Sequence, residues 1–149
     1  MAISSAICSS FKQELLQGKH SLDTSGNGGD TFKIALYTSS ASLDATTTAY
    51  STGNEISGSG YSAGGATLTN TGVGLNSTTA FTDFSDISFT SASFTANGCL
   101  IYNTTTAGGS GTTNAVCVIA FGGDKTVSSG TFTIQFPTND SSSAIIRLT

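Results

Sequence analysis

The chain has 149 residues, 37% of them hydrophobic and only 9% charged, with a net charge of −4. That length suits a single domain that buries one core without disulfide or metal staples, and a charged share so far below the usual value of about 25% requires a solvent face of Ser, Thr, Asn and Gly. Scattered acids and no basic cluster exclude phosphate-led binding of nucleic acid, and no apolar run reaches the roughly 18–20 residues of a membrane span.

Residues 1–8 are small and mildly apolar, without the basic and long apolar regions of a signal peptide. The expectation is a chain made, and at first kept, in the cytoplasm. Residues 9–18 read as a short amphipathic helix, with Ser10 as N-cap, Phe11, Leu15 and Leu16 on one face and Gly18 as the stop. Two turns of helix are not stable alone in water, so this face must dock, either on its own domain or on a neighbouring subunit. The glycine-rich stretch 25–30 is a flexible turn that precedes a strand, the wrong context for a phosphate-cradling loop.

From residue 30 the pattern is β. In 30–40, Phe32, Ile34 and Leu36 alternate with Thr31, Lys33 and Ala35, the period of a strand with one buried face. Leu43 anchors a polar connection, a short strand is expected around Tyr50, and 61–69 reads as a strand broken by a bulge at Gly64-Gly65. Residues 81–90 give a strand in their second half, carrying Ile87 and Phe89. After the tight step Ser91-Ala92-Ser93, residues 94–102 place Phe94, Ala96, Gly98, Leu100 and Tyr102 on one face. Residues 115–121 are apolar on both faces and read as central. Gly122-Gly123-Asp124-Lys125 then turns the chain, 131–136 alternates up to Pro137, and 144–149 forms a last strand. About eight short strands predict an all-β fold: an antiparallel β-sandwich, jelly-roll or immunoglobulin-like, over residues 30–149, preceded by an arm and helix over 1–22.

Few residues offer chemistry. Cys8, Cys99 and Cys117 are widely spaced and read as buried thiols rather than zinc ligands, although Cys99 and Cys117 lie on strands that could be neighbours. Asp83 and Asp86 are the closest carboxylates, but their spacing points them to different faces, as solvated turn residues rather than a glycosidase pair. His20, the only histidine, lies just past the helix and reads as a C-terminal residue favoured by the helix dipole. Asn76-Ser77-Thr78 and Asn103-Thr104-Thr105 match the glycosylation pattern but read as ordinary loop residues. The expectation is no enzyme, no cofactor and no metal.

Five segments, 10–20, 31–41, 54–61, 122–125 and 132–134, resemble small virion-associated proteins of tailed bacteriophages, a likeness that spans nearly the whole chain. The resemblance implies a structural protein of the virion, a capsid cement or decoration protein on the outside of the major capsid shell. It further implies the major capsid protein and copies of itself as partners, in a dimer or trimer, with neither nucleic acid nor membrane. On that reading the arm and helix grip the shell through Phe11, Lys12, Glu14, Leu15, Leu16 and His20. The alternative is a tail-associated or glycan-binding module, whose mark would be exposed aromatics; Tyr50, Tyr61 and Tyr102 are the candidates.

Overall fold

A computed structural model describes residues 2–24, 29–105 and 112–149. Among them run β1 (Ala6–Ile7), α1 (Ser9–Leu16), β2 (Phe32–Tyr37), β3 (Ala66–Thr67), β4 (Asn70–Asn76), β5 (Thr79–Phe84), β6 (Ile87–Asn103), β7 (Asn114–Ile134) and β8 (Ile146–Leu148). All pairings between these strands are antiparallel. They make one sheet in the order β1-β7-β6-β2-β3 and a second in the order β4-β5-β8. The fold is the all-β sandwich with one short helix that the patterning requires. Most of the glycine-rich stretch before β2, residues 25–28, lies outside the described residues.

Two long strands form the frame. The expected turn at Gly122–Lys125 and the expected break at Ser91–Ser93 are bulges inside continuous strands, and β6 pairs with β7 from Ile87↔Ile134 to Asn103↔Asn114. Between the pairs Ala96↔Lys125 and Gly98↔Ala120, two residues of advance along β6 are matched by five along β7. Gly122 (φ +74°) and Gly123 (φ +139°) absorb this excess in backbone conformations that side chains disfavour, although a Cβ at either would meet open space. Sequence periodicity could not separate a bulge from a turn, because both consume glycine and polar residues. The innermost strand is therefore β6, while the wholly apolar start of β7 lies one position from the edge, under β1.

Strand β2 is buried on both faces, not one. Residues paired across strands share a face. Phe32, Ile34 and Leu36, paired with Asn103, Ile101 and Cys99, share the face on which Phe32 meets His20, just behind α1, and the second sheet, where the Phe32 and Phe84 rings lie 5.7 Å apart. Lys33, Ala35 and Tyr37, paired with Tyr102, Leu100 and Gly98, lie under the segment 38–65, from which Tyr50 stacks on Tyr102 at 4.6 Å. That covering segment contains no strand at Tyr50, only a single bridge at Ala49, and Gly64 and Gly65 form a turn rather than a bulge.

The N-terminal segment is built into this sandwich rather than appended to it. β1 extends the first sheet through Ala6↔Val118 and Ile7↔Cys117. Ile3 lies over Gly98, where a Cβ would come within 2.8 Å of both the Ile3 side chain and the Ile119 carbonyl. Helix α1 starts from Cys8 without a side-chain cap; Ser10, the expected N-cap, sits inside the first turn with its hydroxyl buried and unpartnered. Its end is well specified: Gly18 (φ +70°) donates to Leu15 O and Lys19 to Glu14 O, the paired bonds of a Schellman stop.

Candidate interaction surface

The residues assigned to gripping a partner divide into two groups. Phe11 is 1% exposed and packs 4.8 Å from the His20 ring, which itself is 6% exposed and stacked towards Phe32. Neither presents a surface to another chain, and Glu14 is occupied by His20: Nε2 of the ring lies 2.7 Å from Glu14 Oε2. Lys12, Leu15 and Leu16 remain for a partner, with Lys12 exposed, Leu15 half-buried and Leu16 93% exposed.

His20 is not a solvated helix-end residue but the middle of a buried polar chain. The Asn103 amide donates one hydrogen to Asp30 Oδ2 (2.6 Å) and the other to His20 Nδ1 (3.0 Å), while its Oδ1 accepts from the Thr105 N–H. Those partners fix the amide orientation, so Nδ1 is an acceptor and Nε2 carries the hydrogen that goes to Glu14. Asp30 also takes the Ser21 N–H at 2.8 Å. The network therefore ties α1 and the segment behind it to the end of β6. Asn103, one of the two possible glycosylation asparagines, is 1% exposed and spent on this tie.

The three tyrosines converge, around an acid that the sequence did not single out. Glu55 Oε1 accepts from Tyr61 OH (2.6 Å) and the Gly64 N–H (2.7 Å), and Oε2 from Tyr50 OH (2.7 Å). Tyr61 OH in turn receives the Leu36 N–H, and Tyr102 OH donates to Gly64 O. Burial and the neighbouring Glu55 carboxylate push the phenols of Tyr50 and Tyr61 well above their ordinary range. This is a clamp that closes the covering segment onto β2 rather than an aromatic patch offered to solvent.

Asp83 is also a buried tie: fully enclosed, it accepts from Phe84 N–H (2.8 Å) and Ile145 N–H (3.2 Å), and burial raises its carboxyl. Asp86, exposed, accepts from Phe136 N–H at 2.7 Å. Cys99 and Cys117 sit on adjacent strands and share a face through Cys99↔Ile119 and Ile101↔Cys117; all three thiols are free and buried. Burial pushes Cys8 up to about 11 and Cys99 up to about 12, the direction that makes a thiol inert.

What remains open to a partner is an apolar surface on the second sheet. Leu75, Ala80 and Leu148 are register neighbours, as are Val73, Thr82 and Ile146 one step along, so all six share a face. Thr82 and Ile146 are buried, whereas Val73 (60%), Leu75 (73%) and Leu148 (53%) are exposed. The interior face of the sandwich thus runs out beyond its cover. Val73, Ala80, Thr82, Ile146 and Leu148 line a shallow groove of about 270 Å³ together with Leu15 and Leu22, and Leu75 stands exposed beside Val73 on the same face. Val73 and Leu75 alternate along β4, but Gly72 before them and Gly74 between them hide the strand from a periodicity count, and the sequence reading places no strand there.

Comparison of the chain with protein-family models, with curated proteins and with solved structures finds no match.

Proposed function

We propose that this chain is a structural protein of a bacteriophage particle, a cement or decoration protein that binds the outside of the major capsid shell and stabilises neighbouring capsomers. The observation that carries the reading is the uncovered apolar surface of Val73, Leu75 and Leu148 beside α1, where Leu16 is also exposed. A protein whose remaining surface is polar and thinly charged has reason to keep such a patch only as a contact site. Many copies, each making one modest contact, hold a lattice by multivalency and need no reactive group. The resemblance of segments 10–20, 31–41 and 122–125 to virion-associated proteins supports the same reading. The tyrosines of a glycan-binding alternative are engaged with Glu55 and Gly64.

The test is the copy number in purified virions of the phage that encodes the chain, by quantitative mass spectrometry. Hundreds of copies per particle are expected. A handful would move the protein to the tail, and release of reducing sugar from host polysaccharide would overturn a purely structural role.

A further inference from the structure

A second groove, unrelated to the surface above, follows from the bulge in β7. Where the strand changes course at Gly122 and Gly123, Ile119 and Phe121 on one side and Phe132 and Ile134 on the other line one concavity with Phe136. All five are partly buried hydrophobics. The volume is about 510 Å³, within the range of roughly 300–1,000 Å³ of small-molecule sites. One charged residue lines it, Lys125, which is exposed and forms no ion pair among the described residues. The nearby acids do not line it: Asp124 Oδ1 accepts from the Asn97 amide at 2.8 Å, and Asp86 accepts from the backbone N–H of the lining residue Phe136.

We infer that this groove binds a single-chain amphiphile with an anionic head group, its tail along Ile119, Phe121, Phe132 and Ile134 and its head on Lys125. Charge complementarity selects the occupant: in a chain of net charge −4 the only charge lining this apolar concavity is positive. A lysine supplies a point charge without a planar fork, so carboxylate and sulfate heads serve equally. The site is a concavity for one free monomer, not a convex patch for a bilayer.

The experiment is calorimetric titration of the full chain with dodecanoate, below its micellar concentration, and with dodecyltrimethylammonium, which has the same tail and the opposite head. Dodecanoate is expected to bind one to one and about tenfold more tightly than the cation. Lys125→Glu, with an unchanged circular dichroism spectrum, is expected to reverse that preference, and dodecanoate is expected to shift the NMR signals of Ile119 and Ile134. The inference is overturned by absence of dodecanoate binding, by equal affinity for both amphiphiles, or by a preference that survives Lys125→Glu. Shifts confined to Leu75 and Leu148, or a dimer that covers the groove without ligand, overturn it as well.

Discussion

Asn103 holds His20 across 83 residues of sequence, its amide Nδ2 lying 3.0 Å from Nδ1 of the ring. The same nitrogen reaches Asp30 at 2.6 Å, so one side chain at the end of β6 satisfies two groups from the segment behind α1. Among the described residues, replacing it by alanine leaves the buried Asp30 carboxylate with the Ser21 N–H alone and His20 Nδ1 without a donor. Asn103→Ala is expected to cost about 2–3 kcal/mol, the range for orphaning buried polar groups. Urea denaturation measures it, and a loss below about 0.5 kcal/mol would mean that the network carries no net stability.

The contact between Ile3 and Gly98 predicts how the arm is held. In Gly98→Ala the new Cβ stands 2.8 Å from the Ile119 carbonyl, which belongs to the sheet, and from the Ile3 side chain, which can leave. The arm is expected to yield first. Limited proteolysis should cut within the first residues much faster in Gly98→Ala than in the wild type, with a stability loss of about 1–3 kcal/mol. Equal cleavage rates would show that Ile3 does not seat the arm.

Alkaline pH should unfold the protein for a reason legible in its proton binding. Cys8 and Cys99 have folded pKa values raised to about 11 and about 12 from an ordinary 9.0, and Tyr37, Tyr50 and Tyr61 are raised above their ordinary 10.0. A raised pKa means that the folded state keeps protons the unfolded chain releases. Stability is therefore fully present below pH 9 and falls as pH rises above it. Fully buried Cys99 contributes a slope of about 1.4 kcal/mol per pH unit until its own folded value is reached. Denaturation midpoints from pH 8 to 11 should decline, and a flat profile would count against the burial of these groups. Thiol reagent should titrate none of the three cysteines in the folded protein and all three in denaturant.

Surface substitutions should separate folding from assembly. Leu75→Asp and Leu16→Asp replace residues that are 73% and 93% exposed, so each is expected to change stability by less than about 0.5 kcal/mol and, under the proposed capsid role, to weaken attachment to the particle. Sedimentation of each variant with isolated virions measures the second effect. Undiminished attachment of both would place the contact elsewhere on the chain.

The strands that sequence reading located best are those whose side chains alternate without interruption. Phe32, Ile34 and Leu36 mark β2 because nothing breaks their period, whereas Val73 and Leu75 mark nothing because Gly72 precedes them and Gly74 separates them. Continuity was the harder property: Ser91–Ser93 and Gly122–Lys125 have turn composition, and only the partner strand shows that the chain goes on. For the interaction surface, the helix supplied Leu15 and Leu16, but helical spacing assigned Phe11 to the same role although it faces the core. His20 and Asn103 meet across distant sequence through the register of the sheet, whereas the partners of Glu55 lie within nine residues of it and are brought together by the covering segment itself.

The pairing of Ala6 and Ile7 with Val118 and Cys117 has a consequence for synthesis. β1 has no strand partner until β7 has been made, so until then a nascent arm can be held only by its bonds to residues 43–45, such as Ser4 N–H to Leu43 O and Ser9 N–H to Ala45 O. The contact that must close runs from Ile7 to Cys117, a long-range pairing of the kind that forms slowly. The pairing of β1 with β7 is thus a late step, and the edge of β7 that β1 covers stays open to wrong association until then.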